Sequence, residues 1–335
     1  MLKAAGVTQA KNLAPGLELA LSWNGSTISG ARIEAPRPQA ARIFAGRPAT
    51  AVAALAPRLF SLCAIAQGCA ARRALAAACA SPLAEPDDAE RDALTREMSG
   101  EHLWRLCLDW PAGLGLESRP QVLGAWRRGT PLEERPQWRH FETLALELPA
   151  AATPGVALLE LMDAQGFWDS LPYEQGWDCL SDHAMAPTLA GTPREVGAAA
   201  RWRQHPEVAA LWRQDRRQTA RLLCRCLELE ALQAGHWDPA WVQEFSPRPG
   251  IGLARVETAR GPLLHLAEVR DGKVVRYVIV APTEWNFHPA GAFVCDAAGL
   301  AAASADAARE AASLLALSLD PCVAVEITLE SRHHA

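Results

Sequence analysis

The sequence predicts an α+β fold, with a mainly helical core and antiparallel hairpins near the N-terminus and towards the C-terminus. Leu17–Trp23 alternates apolar and polar residues, Asn24-Gly25 supplies a tight turn, and residues 27–33 resume the extended pattern. Residues 263–280 repeat this arrangement around Asp271-Gly272. Both segments are therefore predicted to be β-hairpins.

Long amphipathic helices are predicted elsewhere, because apolar residues recur there three and four positions apart. The segments with this spacing are residues 51–80, 88–110 and 198–234. Pro206 is expected to start a second helix within the last segment. Residues 111–136, rich in Gly, Pro and charge, indicate an irregular connection. The chain is expected to close with a helix over residues 301–317 and a turn at Asp320-Pro321.

The composition is that of a folded globular protein. The chain has 335 residues with a mass of 36.1 kDa, which is enough to bury one large core. Its hydrophobic fraction of 50% and charged fraction of 21% exclude wholesale disorder. We predict one domain over residues 1–335. An alternative boundary lies near 247–252, where the helical middle gives way to a strand-rich end.

The charge and hydropathy patterns disfavour nucleic acid and membranes as partners. With 33 basic and 38 acidic residues, the net charge of -5 creates no long-range field that favours either. No stretch approaches the roughly 20 apolar residues of a spanning helix. The apolar segment of a signal peptide does not follow Lys3 and Lys11. We therefore expect no membrane insertion and a cytoplasmic location, where the nine cysteines are reduced.

Four of the nine cysteines, which lie in helical patterns, are interpreted as small core residues. Cys224 and Cys226 are two positions apart on a predicted helix and point about 200° from one another, so they cannot easily share a metal. The neighbourhoods of Cys63 and Cys322 carry more information. The first reads P-R-L-F-S-L-C-A-I-A-Q over residues 57–67, and the second reads L-D-P-C-V-A-V-E-I-T over residues 319–328.

These two segments resemble the cysteine motifs of nickel-iron hydrogenase large subunits, R-I-C-G-V-C-x-x-x-H near the start and D-P-C-x-x-C-x-x-H at the end. Residues 258–265, T-A-R-G-P-L-L-H, are similar to the A-P-R-G-x-L-x-H segment of that family, and residues 281–286, A-P-T-E-W-N, to its V-P-[ST]-x-W-N segment. Four matches in the family's order imply a hydrogenase large-subunit-like fold. His265 fits its segment, but is more often a structural hydrogen-bonding histidine than a ligand.

Each cysteine motif is half missing, which argues against hydrogen activation. In the family, four thiolates hold nickel, and the second cysteine of each pair also bridges to an iron with two cyanides and one carbon monoxide. Phe60 and Val325 stand at two of the four cysteine positions, and Gln67 and Thr328 replace the two histidines. Pro15 stands where an acidic proton-relay residue would be expected. The resemblance therefore implies no nickel and no hydrogenase activity.

The residues that surround the iron in the family are retained. By resemblance, Cys63 corresponds to a bridging thiolate and Cys322 to a nickel-only thiolate. Arg260 would donate charge-assisted hydrogen bonds to one cyanide, and the Thr283 hydroxyl would bind the other. An apolar pocket for carbon monoxide would be formed by Leu263, Ala281 and Pro282.

This pattern resembles the HupK or HoxV family of hydrogenase maturation scaffolds. The resemblance implies transient carriage of an iron with cyanide and carbon monoxide ligands. Cys63 would be its principal ligand, and Cys322 a second ligand or transfer thiol. The implied partners are maturation chaperones of the HypC type, HypD and the hydrogenase large-subunit precursor.

Two further functions stay open at this point. One is a metal-free large-subunit mimic that acts as an interaction chaperone. The other is an enzyme in its own right, although no G-x-S-x-G elbow, nucleotide-binding glycine loop or HExxH pair is present.

Overall fold

The computed structural model describes residues 16–34, 40–132 and 148–330. Pro15 and residues 133–136 of the predicted connection lie outside these ranges. In chain order the strands are β1 Leu17–Trp23, β2 Ile28–Glu34, β3 Ala157–Leu158, β4 Arg194–Glu195, β5 Val242–Arg248, β6 Ile251–Thr258, β7 Gly261–Arg270, β8 Lys273–Val280 and β9 Val325–Glu330.

The helices alternate with these strands and fill most of the chain between β2 and β5. They are α1 Ala49–Leu59, α2 Ala64–Ala78, α3 Asp88–Trp104, α4 Trp110–Gly113, α5 Pro120–Arg127, α6 Ala164–Ser170, α7 Trp177–Met185, α8 Ala198–Arg201, α9 Pro206–Arg213, α10 Arg217–Gln233, α11 Pro282–Asn286, α12 Ala292–Ala297 and α13 Ala305–Leu319. Short 3-10 segments cover Ala40–Phe44, Ser61–Cys63, Tyr173–Gln175 and Pro239–Trp241, and a π-helical turn covers Arg105–Asp109.

Both predicted hairpins are present. β1 pairs antiparallel with β2, and β7 pairs antiparallel with β8. Asp271 and Gly272 both adopt positive φ, as a two-residue hairpin turn of type I′ requires. β1 also pairs in parallel with β9, so the three-stranded sheet has the order β2-β1-β9. This pairing places the turn before β9 beside the start of the described chain.

The second sheet is an antiparallel meander with the order β5-β6-β7-β8. Helices α1 and α2 cover one face of it, and α6, α7 and Trp285 pack on the other. Because both faces are covered, every residue of β6 is buried. Gly252 allows the close approach of α2, since a Cβ there would lie 2.1 Å from the carbonyl oxygen of Ala74.

The predicted helix over residues 51–80 is broken into two, α1 and α2, whose axes differ by 95°. Pro57 lies near the end of α1 and cannot donate a backbone hydrogen bond. A carboxylate from another helix then caps α2, because Glu97 accepts hydrogen bonds from Ile65 N and Ala66 N at 2.7 and 2.9 Å. The break places Cys63 at the N-cap of α2.

The next predicted helix, over residues 88–110, is continuous only as far as Trp104, where the π-helical turn replaces regular α-helix. The prediction of an irregular connection at residues 111–136 was wrong for residues 120–127, which form α5. Pro120 occupies the first turn, and the buried Leu123 packs with α3 and α10. Pro206 starts α9 as predicted.

The C-terminal helix begins and ends slightly later than predicted. Ser304 is its N-cap and accepts a hydrogen bond from Ala307 N at 3.1 Å. Asp320 is its C-cap in the left-handed conformation, with φ 56°. Within the described ranges no single helix is long and apolar enough to cross a membrane, and α1 with the segment 61–78 would qualify only as a pair bent at its break.

Candidate functional site

Cys63 lies in the bend between α1 and α2, at the border between core and surface. Its side chain is half-buried and packs against the core between α2 and the meander, which includes Leu263 of β7. Burial, together with nearby Cys322 and the negative charge of Glu97, raises the pKa of the Cys63 thiol to about 12. Arg260 acts in the opposite direction but does not outweigh burial. In the protein alone, Cys63 is therefore a thiol at neutral pH.

Cys322 lies in the turn between α13 and β9 and is held by Thr283. The Thr283 hydroxyl donates a hydrogen bond to Cys322 Sγ at 3.1 Å and accepts one from the Cys322 backbone N–H at 3.2 Å. Thr283 is buried and lies in the first turn of α11. Its hydroxyl proton therefore points at sulfur in this state, whereas the resemblance assigned it to a cyanide.

Arg260 lies in the turn between β6 and β7 and is almost fully buried. Its Nη2 donates to Glu101 Oε2 at 2.5 Å, and its Nε lies 3.4 Å from Asp320 Oδ1 without a hydrogen bond. Burial alone would lower its pKa, but the carboxylates of Asp320 and Glu101, together with nearby Cys322, raise it above its usual value. Arg260 therefore remains a cation, and its Nη1 makes no hydrogen bond to the residues that the structure describes.

A close backbone contact fixes the position of Arg260. Gly261 has a φ of 129°, and a Cβ there would meet Val196 Cγ2 at 2.7 Å. Gly197, on the opposing segment, has a φ of 101° and lies against the Arg260 carbonyl. Glycine is needed on both sides, because side chains would separate the segments and move the guanidinium.

The three residues predicted to form an apolar pocket lie on two elements. Leu263 is 1% exposed and belongs to the same cluster that Cys63 packs against. Ala281 and Pro282 immediately precede Thr283, as the N-cap and first residue of α11. The turn that carries the hydroxyl is therefore apolar on its N-terminal side.

Asp320 fixes the turn that presents Cys322. Its carboxylate accepts hydrogen bonds from Arg105 Nε at 2.5 Å and Arg225 Nη1 at 2.8 Å, in addition to the ion pair with Arg260. Burial would raise the pKa of Asp320, but the three guanidinium groups hold it far below its usual range. Arg105 also donates to the Pro321 carbonyl at 2.9 Å. The turn is therefore held at both Asp320 and Pro321.

Two carboxylates of α3 complete the surroundings of the sulfurs, and the sequence interpretation did not include them. Glu97 caps α2 beside Cys63, and Glu101 pairs with Arg260. Burial raises the pKa of Glu97 despite the two backbone hydrogen bonds that it accepts. Their spacing of four residues, which places two acids on one helix face, is the signal that could have indicated them.

The structure thus brings together Cys322, Thr283 and Arg260, and places Cys63 close enough to Cys322 and Arg260 for both to shift its pKa. The ligand roles of the two cysteines stay predictions. In the described part of the chain, no group of three or more His, Cys, Asp or Glu side chains has the arrangement of a metal site.

Comparison with known proteins identifies a family for this chain. The model of the nickel-dependent hydrogenase family matches residues 207–327. The hydrogenase expression/formation protein HupK of Rhizobium leguminosarum bv. viciae is 32% identical, over 89% of this chain and 92% of that protein. The hydrogenase expression/formation protein HoxV of Cupriavidus necator is 29% identical, over 87% and 91%.

Solved structures show the same fold at low sequence identity. A variant of the [NiFeSe] hydrogenase of Desulfovibrio vulgaris Hildenborough superposes with a TM-score of 0.59 at 14% identity, covering 92% of this chain and 99% of the matched chain. The predicted hydrogenase large-subunit-like α+β fold is therefore confirmed. By this fold and the extent of the similarity, the chain belongs to the HupK/HoxV family of hydrogenase expression/formation proteins.

Proposed function

We propose that this protein is a hydrogenase maturation scaffold that carries an iron with two cyanides and one carbon monoxide. The observation that supports the proposal is the cluster of two cysteines with one buried cation and one buried hydroxyl. Cys322 is hydrogen-bonded to Thr283, and Cys322 and Arg260 both lie close enough to Cys63 to shift its pKa. In this proposal Cys63 is the principal iron ligand, and Cys322 is a second ligand or transfer thiol.

A site with two thiolates suits an iron that already carries cyanide and carbon monoxide better than it suits a bare metal ion. An iron that brings three carbon ligands of its own needs few from the protein, and soft thiolates match low-valent iron. Ferrous iron with two cyanides is neutral before the thiolates bind. Its burial therefore costs less than that of a bare cation. Nickel is not part of the proposed cargo, since Phe60 and Val325 occupy the positions of the other two family thiolates.

Arg260 and Thr283 are proposed to bind the two cyanides. Arg260 is held rigidly by Glu101 and Asp320, which leaves Nη1 as the donor for a cyanide nitrogen. The Thr283 hydroxyl can turn from the Cys322 sulfur to the second cyanide when that sulfur binds iron. Carbon monoxide, a poor hydrogen-bond acceptor, would face the apolar side formed by Leu263, Ala281 and Pro282.

The surface beside Cys63 suits the docking of a partner protein. Leu59, Leu62 and Ile65 surround the bend that carries the cysteine and are between 40% and 45% exposed. Exposed apolar clusters of this kind mark interaction sites. We propose that chaperones of the HypC type, HypD and the large-subunit precursor approach the cargo from this side.

Infrared spectroscopy of the protein, purified without oxygen from cells that make the iron unit, tests carriage directly. We expect cyanide and carbonyl stretches in the wild type and their loss in Cys63→Ala. Cys295→Ala is the matched control, because Cys295 is also half-buried but lies on α12, and it should keep the bands. A wild type without bands would exclude carriage. Bands that persist in Cys63→Ala would exclude the ligand assignment.

The alternative function is a metal-free large-subunit mimic that acts as an interaction and assembly chaperone. The exposed leucines and isoleucine beside Cys63 favour it as well, because docking does not need a thiol. A variant that combines Cys63→Ala with Cys322→Ala separates the two functions. Full hydrogenase maturation with this variant would support the mimic, and loss of maturation would support the carrier.

A further inference from the structure

We propose that Gln67 is a positioning residue that holds the Cys63 sulfur and lowers its electron donation to the bound iron, through a buried chain that continues to His265 and Tyr277. The inference rests on the proposed carrier function, and it adds a residue that stands where the hydrogenase family has a histidine.

The chain of contacts runs from the bend at Cys63 into the meander. Gln67 Nε2 lies 3.7 Å from Cys63 Sγ, and Gln67 Oε1 lies 3.0 Å from His265 Nε2. The other ring nitrogen of the histidine, Nδ1, lies 2.7 Å from the Tyr277 hydroxyl. Gln67, His265 and Tyr277 are all buried. Phe44 packs edge-on against Tyr277, with ring centroids 4.9 Å apart.

The direction of each hydrogen bond follows from the chemistry of the sulfur. A metal-bound thiolate only accepts, so the amide N–H of Gln67 must donate to Cys63 and its oxygen must accept. His265 Nε2 then carries the proton that it donates to Gln67. Burial lowers the pKa of His265 to about 3, so the ring is neutral and its Nδ1 accepts from the Tyr277 hydroxyl.

A hydrogen bond to the sulfur changes the metal as well as the geometry. An N–H donor withdraws electron density from a thiolate, which makes it a weaker donor to iron. Less density then reaches the antibonding orbitals of carbon monoxide and cyanide. The infrared stretches of these two ligands therefore report the presence of this hydrogen bond, and a purely structural role for Gln67 would leave them unmoved.

The test compares the infrared spectra of the anaerobically loaded wild type with those of three variants. Gln67→Leu removes the donor at similar volume, and we expect its carbonyl and cyanide stretches to move to lower wavenumber. Tyr277→Phe keeps the ring against Phe44 but frees the tautomer of His265, and should give a smaller shift in the same direction. Gln218→Leu, another buried glutamine, is the control and should leave the bands in place.

Coincident bands in Gln67→Leu and the wild type would overturn the inference. If Gln67→Leu does not fold, as judged by circular dichroism, Tyr277→Phe decides alone, and unshifted bands overturn the inference.

If the wild type carries no bands, the carrier function fails instead. The contact is then tested in the empty protein by alkylation of Cys63 with iodoacetamide and peptide mass spectrometry. Loss of the N–H donor should slow this alkylation several-fold. An unchanged rate would overturn the contact itself.

Discussion

Replacing Asp320 with asparagine should destabilise the protein strongly, because one carboxylate holds three cations at the turn that presents Cys322. Asp320 is 1% exposed and binds Arg105 and Arg225 directly, with Arg260 at 3.4 Å. Asparagine keeps the shape and tolerates the left-handed conformation, so the substitution removes mainly the charge.

The magnitude follows from the charges that remain. In the variant, Arg105 still pairs with Asp109 and Arg260 with Glu101. Arg225 loses its ion pair with Asp320, and the described residues offer it no second acidic partner. Removing one partner of a buried ion pair typically costs about 3–5 kcal/mol, since the other charge stays buried and uncompensated. We expect a loss of this size in the free energy of unfolding.

Urea unfolding at neutral pH, followed by tryptophan fluorescence, measures the loss. Asp306→Asn is the matched control, because Asp306 is exposed and its ion pair among the described residues is with Arg309 of its own helix, so its effect should stay within about 0.5 kcal/mol. A loss below about 1 kcal/mol for Asp320→Asn would refute the reasoning, because the three arginines would then not depend on this carboxylate.

Three further outcomes are expected. Burial lowers the pKa of His265 from 6.5 to about 3, so between about pH 6.5 and pH 3 mainly the unfolded state binds this proton. The free energy of unfolding should therefore fall by up to about 1.4 kcal/mol per pH unit as the pH decreases through this range. Urea unfolding of His265→Asn at several pH values should show a weaker dependence of this free energy on pH. An equally steep dependence on pH in the variant would contradict the assignment of this pH effect to His265. Gly252→Ala should lower the free energy of unfolding in urea by about 1–3 kcal/mol or more, since its Cβ would overlap the backbone of α2. Gly30→Ala, where a Cβ has open space, is the control and should leave this free energy nearly unchanged. Glu97→Gln removes a negative charge beside Cys63 and should lower the pKa of that thiol, which should speed its alkylation by up to about tenfold. An unchanged or slower rate would count against this role of Glu97.

The parts of the fold that were predictable are those set by neighbouring residues. Asn24-Gly25 and Asp271-Gly272 specify their hairpins because the turn residues and the paired strands are adjacent in sequence. The break before Cys63 was not predicted, because its cap comes from Glu97 on another helix. The parallel pairing of β1 with β9 was missed for the same reason, since no local signal joins segments so distant in the chain.

The candidate site, like the fold, was predictable only where the signal lies within a short segment of sequence. Cys63, Cys322, Arg260 and Thr283 were named from short segments that resemble a family, and each is recognisable on its own. Their supporting partners were not predicted, because the salt bridges of Arg260 and Asp320 join elements that sequence order does not relate. Gln67 was noted only as a lost histidine, and its contact with Cys63 appears only in three dimensions.

The pairing of β9 with β1 has a consequence for when cargo can be loaded during the life of the chain. Ribosomes release the N-terminal hairpin and Cys63 long before they make the turn at Asp320, and β1 lacks one of its two neighbours until β9 emerges. A nascent polypeptide therefore offers only one of the two cysteines of the candidate site, without the hydroxyl and guanidinium arrangement around it. Under the proposed carrier function, delivery of iron should follow translation, so that only finished molecules receive the cargo.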